Sequence, residues 1–232
     1  MLIGDNMKKV LFSDFDNTLF VEDEEVVDKN IEAINHFILD NIFVIITGRT
    51  YKSVKRVLDL YSIKYTYLIC KNGAEIYDKD KLLLKKNLKK EDIETIKEII
   101  AKYNVGYSVD DFADERFIGD DVSSIFIRRD YRLNSDCIKE IRERTTTYNY
   151  LSPHWFNIVA ENVNKALAVE DLKRIIGEEV KIYTIGDAIN DKEMIKNYNG
   201  AKMKVHESYL DDLDVPAYEY FYQYVEQILK ED

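Results

Sequence analysis

The chain is short of cysteine, proline, histidine and positive charge, and each shortage narrows what it can be. Among 232 residues only Cys70 and Cys137 are cysteines, too few for a metal cluster or a disulfide framework. Both read as reduced structural thiols, an expectation that goes with a cytoplasmic location. The three histidines, His36, His154 and His206, are scattered and supply no metal cluster. Two prolines and no internal repeat or low-complexity segment speak against a long flexible linker. The longest apolar runs, such as Ile42 to Ile46, are far too short to span a bilayer. Met1 to Lys9 has no extended apolar segment of the kind a secretory signal needs, and Met1 and Met7 both stay open as the start. Basic residues number 33 against 44 acidic ones, for a formal net charge of −11. Such a surface repels nucleic acid, so neither nucleic acid nor membrane is an expected partner. A small phosphorylated metabolite stays compatible, because the field inside a metal-containing pocket is set locally.

What the chain does contain is a hydrophobic fraction of 46% and 17 tyrosines, the composition of a folded globular protein. Its length suits one core, or one core with a smaller appended domain. Strand-like runs followed by amphipathic stretches recur, the rhythm of an α/β protein with a parallel sheet. Val10 to Ser13 reads as a strand, then a helix from about Lys29 to Asn41 with Asp28 as N-cap. Ile42 to Ile46 is a buried strand ending at Thr47-Gly48-Arg49, Tyr51 to Tyr61 a helix, and Tyr67 to Cys70 a strand ending at Lys71-Asn72-Gly73. Between about Ala74 and Ser152 the rhythm changes. Leu82 to Leu84, Val105 to Val109 and Ser124 to Arg128 look like strands, and Glu91 to Tyr103 and Ser135 to Arg144 like helices, which suggests an α+β insert. The βα rhythm is expected to resume with Phe156 to Ala160, a helix over Lys165 to Ile176, a strand over Val180 to Ile185, and a last helix over about Ala217 to Leu229.

Three predicted strands end in polar tips: Asp14-Phe15-Asp16, then Thr47, then Asp187 with Asp191. Side chains i and i+2 of an extended segment share a side, so Asp14 and Asp16 can reach one point, and a divalent cation is the simplest relief of their repulsion. Mg²⁺ takes oxygen ligands and is commonly completed by a substrate phosphate. Ligands of open α/β sheets bind at the carboxyl ends of strands, so the tips should converge. An Asp carboxylate can attack phosphorus covalently, and a second can carry a proton to the leaving oxygen. Thr47, with the Gly48 amide, and Lys165 can receive charge on the transferring oxygens.

Asp14-Phe15-Asp16-Asn17-Thr18, Thr47-Gly48-Arg49, Asn164-Lys165 and Gly186-Asp187-Ala188-Ile189-Asn190-Asp191 occur in this order, and the arrangement resembles the four motifs of the haloacid dehalogenase-like (HAD) phosphohydrolases. Asn72-Gly73-Ala74-Glu75-Ile76, and an insert placed after the second motif, resemble the Cof-type branch with a type IIB cap. The resemblance implies a Rossmann-like parallel sheet with helices on both faces, formed by 1–75 and 153–232, and an inserted α+β cap over 76–152. It implies Asp14 as nucleophile, Asp16 as general acid/base, and Thr47, Gly48, Lys165 and Asn190 on the phosphate. Mg²⁺ would be held by Asp14, the Asp16 backbone carbonyl and Asp187, with Asp191 a further ligand or an anchor for Lys165. Ala166 replaces a frequent Gly of this branch, and Gly200 to Lys204 lacks its usual small-residue turn, which leaves the C-terminal strand and helix without an anchor by analogy.

Substrate readings are broader. Arg49 either contacts substrate or decorates a helix start, and Asn72 is a turn residue with a substrate contact as its sharper reading. In the insert, Asp110 to Arg116 is either solvated surface or a place where Asp111 and Asp114 accept from sugar hydroxyls while Arg128 or Arg129 binds a second anion. The expected activity is Mg²⁺-dependent hydrolysis of a sugar phosphate or a phosphoglycolate-like acid. Its alternatives are a phosphomutase of the phosphomannomutase type and a Mg²⁺-binding regulatory module phosphorylated without turnover.

Overall fold

The computed structural model of the chain describes residues 7–110, 121–129, 133–152, 154–204 and 209–231. β1 (Lys9–Ser13), β2 (Ile42–Ile46), β3 (Tyr67–Cys70), β4 (Glu75–Asp78), β5 (Lys81–Lys85), β10 (Lys181–Gly186), β11 (Asn199–Met203) and β12 (Ala217–Tyr218) form an eight-stranded sheet in the order β12-β11-β10-β1-β2-β3-β4-β5. Pairing is parallel from β12 to β3 and antiparallel from β3 to β5.

The central strands are apolar throughout because both faces are covered. Val10, Phe12, Val44 and Ile46 pack with Val169 and Leu172 of α5 (Lys165–Ile176) and Met194 of α6 (Lys192–Asn197). Their neighbours Leu11, Phe43 and Ile45 face the other way, onto Ile34 and Phe37 of α1 (Glu24–Phe37), Val54 and Leu58 of α2 (Tyr51–Leu60), and Phe221, Val225 and Ile228 of α7 (Phe221–Leu229). Each such fully buried side chain contributes about 1.5–3 kcal/mol over an exposed one. The C-terminal strand and helix are thus anchored, by parallel pairing of β11 to β10 and by burial of α7.

Helix α1 begins earlier than expected. Asp23, not Asp28, is its N-cap, accepting from the Glu25 and Val26 amides at 3.0 and 3.4 Å. Glu24 and Glu25 suit the positive end of the helix dipole, and Val26 and Val27 already belong to the buried stripe. Helix α5 runs as expected, with Asn164 Oδ1 accepting from the Leu167 amide at 2.8 Å and Gly177 ending it at φ 72°.

A second sheet contains β6 (Tyr107–Val109), β7 (Ser124–Arg128), β8 (Tyr148–Leu151) and β9 (Trp155–Val159), antiparallel in the order β6-β7-β9-β8. One face, with Ile125, Ile127, Phe156 and Ile158, packs on α3 (Lys90–Tyr103) and α4 (Ser135–Arg144). β9 therefore does not resume the parallel rhythm: Phe156 and Ile158 alternate with Asn157, the pattern of a sheet covered on one side only. Leu82 to Leu84 likewise pairs into the large sheet through β4. Among the described residues, no helix is long and apolar enough to cross a membrane.

Candidate active site

Four adjacent parallel strands, β10, β1, β2 and β3, deliver their carboxyl ends to one place: Asp187 follows β10, Asp14 follows β1, Thr47 follows β2, and Lys71-Asn72 follows β3. The connections diverge on either side of β1, which makes it the switch point of the sheet. The Asp14 amide donates to the Ile185 carbonyl at 2.9 Å, and the Thr47 amide to the Ile69 carbonyl at 2.9 Å, so the tips continue the ladder before turning away.

Lys165 enters from the first turn of α5, fully buried, and its Nζ donates to Asp14 Oδ1 and, at 2.6 Å, to Asp191 Oδ1. Asp191 Oδ2 accepts from the Asp187 and Ala188 amides at 3.2 and 3.0 Å. Asp191 thus ties Lys165 through one oxygen and the loop carrying Asp187 through the other. Thr18 Oγ1 donates to Asp187 Oδ1 at 3.2 Å. Burial, with repulsion from Asp191 and Asp187, pushes the Asp14 carboxyl well above the usual carboxylate range despite the pull of Lys165. Burial opposes the charge on Lys165, but Asp14 and Asp191 outweigh it and hold the ammonium above its ordinary range. Asp14, Asp187 and Asp191 each offer an oxygen, all within 4.8 Å of one another. This buried, all-oxygen donor set fits a hard divalent cation such as Mg²⁺.

Asp16 lies beside this cluster, partly exposed, and accepts a two-pronged bond from Arg49: Nε to Oδ2 at 2.9 Å and Nη2 to Oδ1 at 2.6 Å. The guanidinium also lies 5.2 Å from the Phe15 ring centroid. Arg49 is thus bound to Asp16 at the lining of the cavity rather than idle on a helix start. Thr47 is buried, and its Oγ1 accepts from the Arg49 amide at 3.1 Å. Asn72 is buried too: its Nδ2 donates to the Tyr150 hydroxyl at 2.6 Å, and its Oδ1 accepts from Asn190 Nδ2 at 3.0 Å. A Cβ on Gly48 would lie 3.2 Å from the Tyr150 hydroxyl and 3.3 Å from Asn72 Nδ2, so a side chain there would crowd the corner.

The tips open into a cavity of about 630 Å³ between the two sheets, lined from below by Asp14, Asp16, Gly48, Asp187 and Asn190. The covering sheet contributes Ser108, Phe126, Tyr150 and Asn157, none of them singled out by motif reasoning. Ser108 and Asn157 alternate with bulky neighbours along short strands, a weak signal that Phe126 and Tyr150 lack. Also missed was Lys71, whose buried Nζ donates to Glu75 and Asp110 at 2.9 Å and to Ser123 at 3.0 Å. Arg128 is exposed at the end of β7 and does not line this cavity, and Asp111 and Asp114 lie outside the described residues.

The model of the haloacid dehalogenase-like hydrolases matches residues 11–115 and 107–205. The chain belongs to this family. Among HAD relatives it is 24% identical to the 5-amino-6-(5-phospho-D-ribitylamino)uracil phosphatase of Bacillus subtilis, over 81% of this chain and 80% of that one. It is 27% identical to the phosphoglycolate phosphatase of Sulfurisphaera tokodaii, over 84% and 79%. Its fold is shared with a HAD subclass IIB sugar phosphatase at a TM-score of 0.74 and 17% identity, over 95% of this chain and 99% of that one.

Proposed function

We propose that this HAD hydrolase is a Mg²⁺-dependent phosphatase of a small phosphorylated metabolite, a sugar phosphate or a phosphoglycolate-like acid, that works through an aspartyl-phosphate on Asp14. The observation that carries the reading is the buried Asp14–Lys165–Asp191 chain beside Asp187 at the floor of a cavity. Membership of a hydrolase family and the phosphatases among its relatives support it.

Asp14 attacks phosphorus as the bond to the leaving alcohol breaks, and Asp16 gives its proton to the departing oxygen. Asp16 then takes a proton from a water that attacks the phosphoryl group, releasing inorganic phosphate and restoring the Asp14 carboxylate. Arg49 holds both Asp16 oxygens as acceptors, so proton delivery requires that one of these bonds be given up. Thr47, the Gly48 amide and Lys165 would meet the charge on the phosphoryl oxygens. When bound, Mg²⁺ held by Asp14 and Asp187 would offset their mutual repulsion and the charge of the phosphoryl group.

The test is Asp14→Asn, expected to abolish phosphate release while the far-ultraviolet circular dichroism stays that of the parent. Chelation of the parent should stop turnover and Mg²⁺ restore it; residual turnover by the variant would remove Asp14 as nucleophile.

A further inference from the structure

The sheet that covers the site presents a single cross-strand row to it. Ser108 pairs with Phe126, Phe126 with Asn157, and Asn157 with Tyr150, so one residue from each of the four strands lies in register. All four line the cavity that contains Asp14. Their chain neighbours Val109, Ile125, Ile127, Phe156 and Ile158 point into the core beneath α3 and α4, so period-two geometry obliges the row to face the site.

The row has a definite chemistry. The Tyr150 oxygen accepts from Asn72 Nδ2, which leaves its O–H as a donor. Burial pushes the phenol far above its ordinary range, so that proton is retained. The Asn157 amide nitrogen is engaged with Ser152 Oγ and the Trp155 carbonyl at 3.2 and 3.3 Å, which leaves Oδ1 as the acceptor it can offer. Ser108 adds a hydroxyl that can donate or accept. Phe126 and Trp155 stand edge to face with centroids 6.5 Å apart and give the row an apolar wall.

Charge around the row runs against a second anion. Asp110 lines the same cavity; burial disfavours its charge, but Lys71 and Ser123 more than compensate and hold its carboxyl below its usual range. Among the described residues lining this cavity, the basic side chains are Arg49, which is committed to Asp16, and His154, which is exposed at the rim. Arg129 lines the adjoining cavity and donates from Nη1 to the Ser152 carbonyl at 2.8 Å.

The geometry points to Ser108, Phe126, Asn157 and Tyr150 as a leaving-group subsite that selects phosphate esters of neutral, hydroxyl-bearing alcohols over esters of hydroxy acids. Tyr150 is its specificity-determining residue, because its bond to Asn72 joins the row to the loop after β3. The inference rests on the phosphatase reading and chooses between its two substrate classes: a hydroxyl finds donors and acceptors here, whereas a carboxylate would meet the charge of Asp110, whose Lys71 partner is already shared with Glu75 and Ser123.

The experiment is steady-state kinetics with Mg²⁺ on ribitol phosphate, glucose phosphate, phosphoglycolate and p-nitrophenyl phosphate. The parent should favour ribitol or glucose phosphate over phosphoglycolate by about tenfold or more in kcat/KM. Tyr150→Phe and, independently, Asn157→Ala should lower the ratio of kcat/KM for the preferred polyol or sugar ester to that for p-nitrophenyl phosphate by about tenfold, mainly through KM. A preference for phosphoglycolate, or an unchanged ratio in both variants, overturns the subsite while leaving the phosphatase reading intact. No turnover of any of the four esters overturns both.

Discussion

At Asp16 a single side chain must serve two masters. It accepts two bonds from Arg49 in the resting site, yet the proposed reaction needs it to carry a proton. The fork holds the carboxylate at the cavity edge, 44% exposed at the side chain, where a leaving oxygen can approach. If Asp16 is the general acid, its removal should matter in proportion to the need of the leaving group for a proton. Asp16→Asn is expected to slow hydrolysis of an alkyl phosphate by about 10²-fold or more. The loss on p-nitrophenyl phosphate, whose phenolate departs unprotonated, should be clearly smaller in parallel kcat/KM measurements; equal losses would argue against the acid role. The chain shows Asp14, Asp16 and Lys165 as members of motifs, but not Arg49 on Asp16. The latter is a pairing across 33 positions that only the meeting of two strand ends creates.

At the scale of elements, the corner after β3 is the joint between the two sheets. Lys71, Asn72 and Gly73 take successive positive φ values of 52°, 57° and 108°, the region that strains side chains and suits glycine. A Cβ at Gly73 would come 2.7 Å from Ala168 Cβ and 2.9 Å from the Asn164 carbonyl, at the start of the helix that carries Lys165. The corner is held by Lys71, whose ammonium joins Glu75 of β4 to Asp110 and Ser123 of the smaller sheet's region. Lys71→Met leaves the buried Glu75 and the partly buried Asp110 without their cation and is expected to cost about 3–5 kcal/mol in urea unfolding. A change under about 1 kcal/mol would show the cluster to be solvated and dispensable. The sequence shows Asn72-Gly73 as a turn because those residue types tolerate positive φ. It does not show that Lys71 reaches a carboxylate 39 positions away.

Over the whole molecule, acidity sets the response to pH. Burial opposes charge on Asp110, but Lys71 and Ser123 pull its carboxyl below its ordinary value. Bonds from Lys102, Arg144 and Tyr103 hold Glu140, on the surface of α4, down to about 2 from 4.5. For such groups the unfolded chain binds more protons as pH falls, so their stabilisation is complete above the unfolded value and is lost on the way down to the folded one. Asp14 has the opposite sign: raised by burial, it costs stability as pH rises through its folded value. The melting temperature should therefore fall as pH drops from about 5 toward about 2, and Asp110→Asn should flatten part of that fall in calorimetric scans. An identical slope in the variant would assign the acid transition to other carboxylates.

The sequence by itself determined the elements whose patterning is local: the buried strands β1, β2, β3 and β10, the helices α3, α4 and α5, and the motif residues at their ends. It could do so because strand and helix periods, caps and turn residues act over a few positions. It misassigned β9 and β5, since a short strand-like run does not say which sheet it joins. Tertiary structure alone decided that Tyr150 lies over Gly48, that Arg49 grips Asp16, and that a row from four separate strands faces Asp14. Those contacts depend on sheet register and on the packing of one sheet above the other, and no spacing along the chain encodes either.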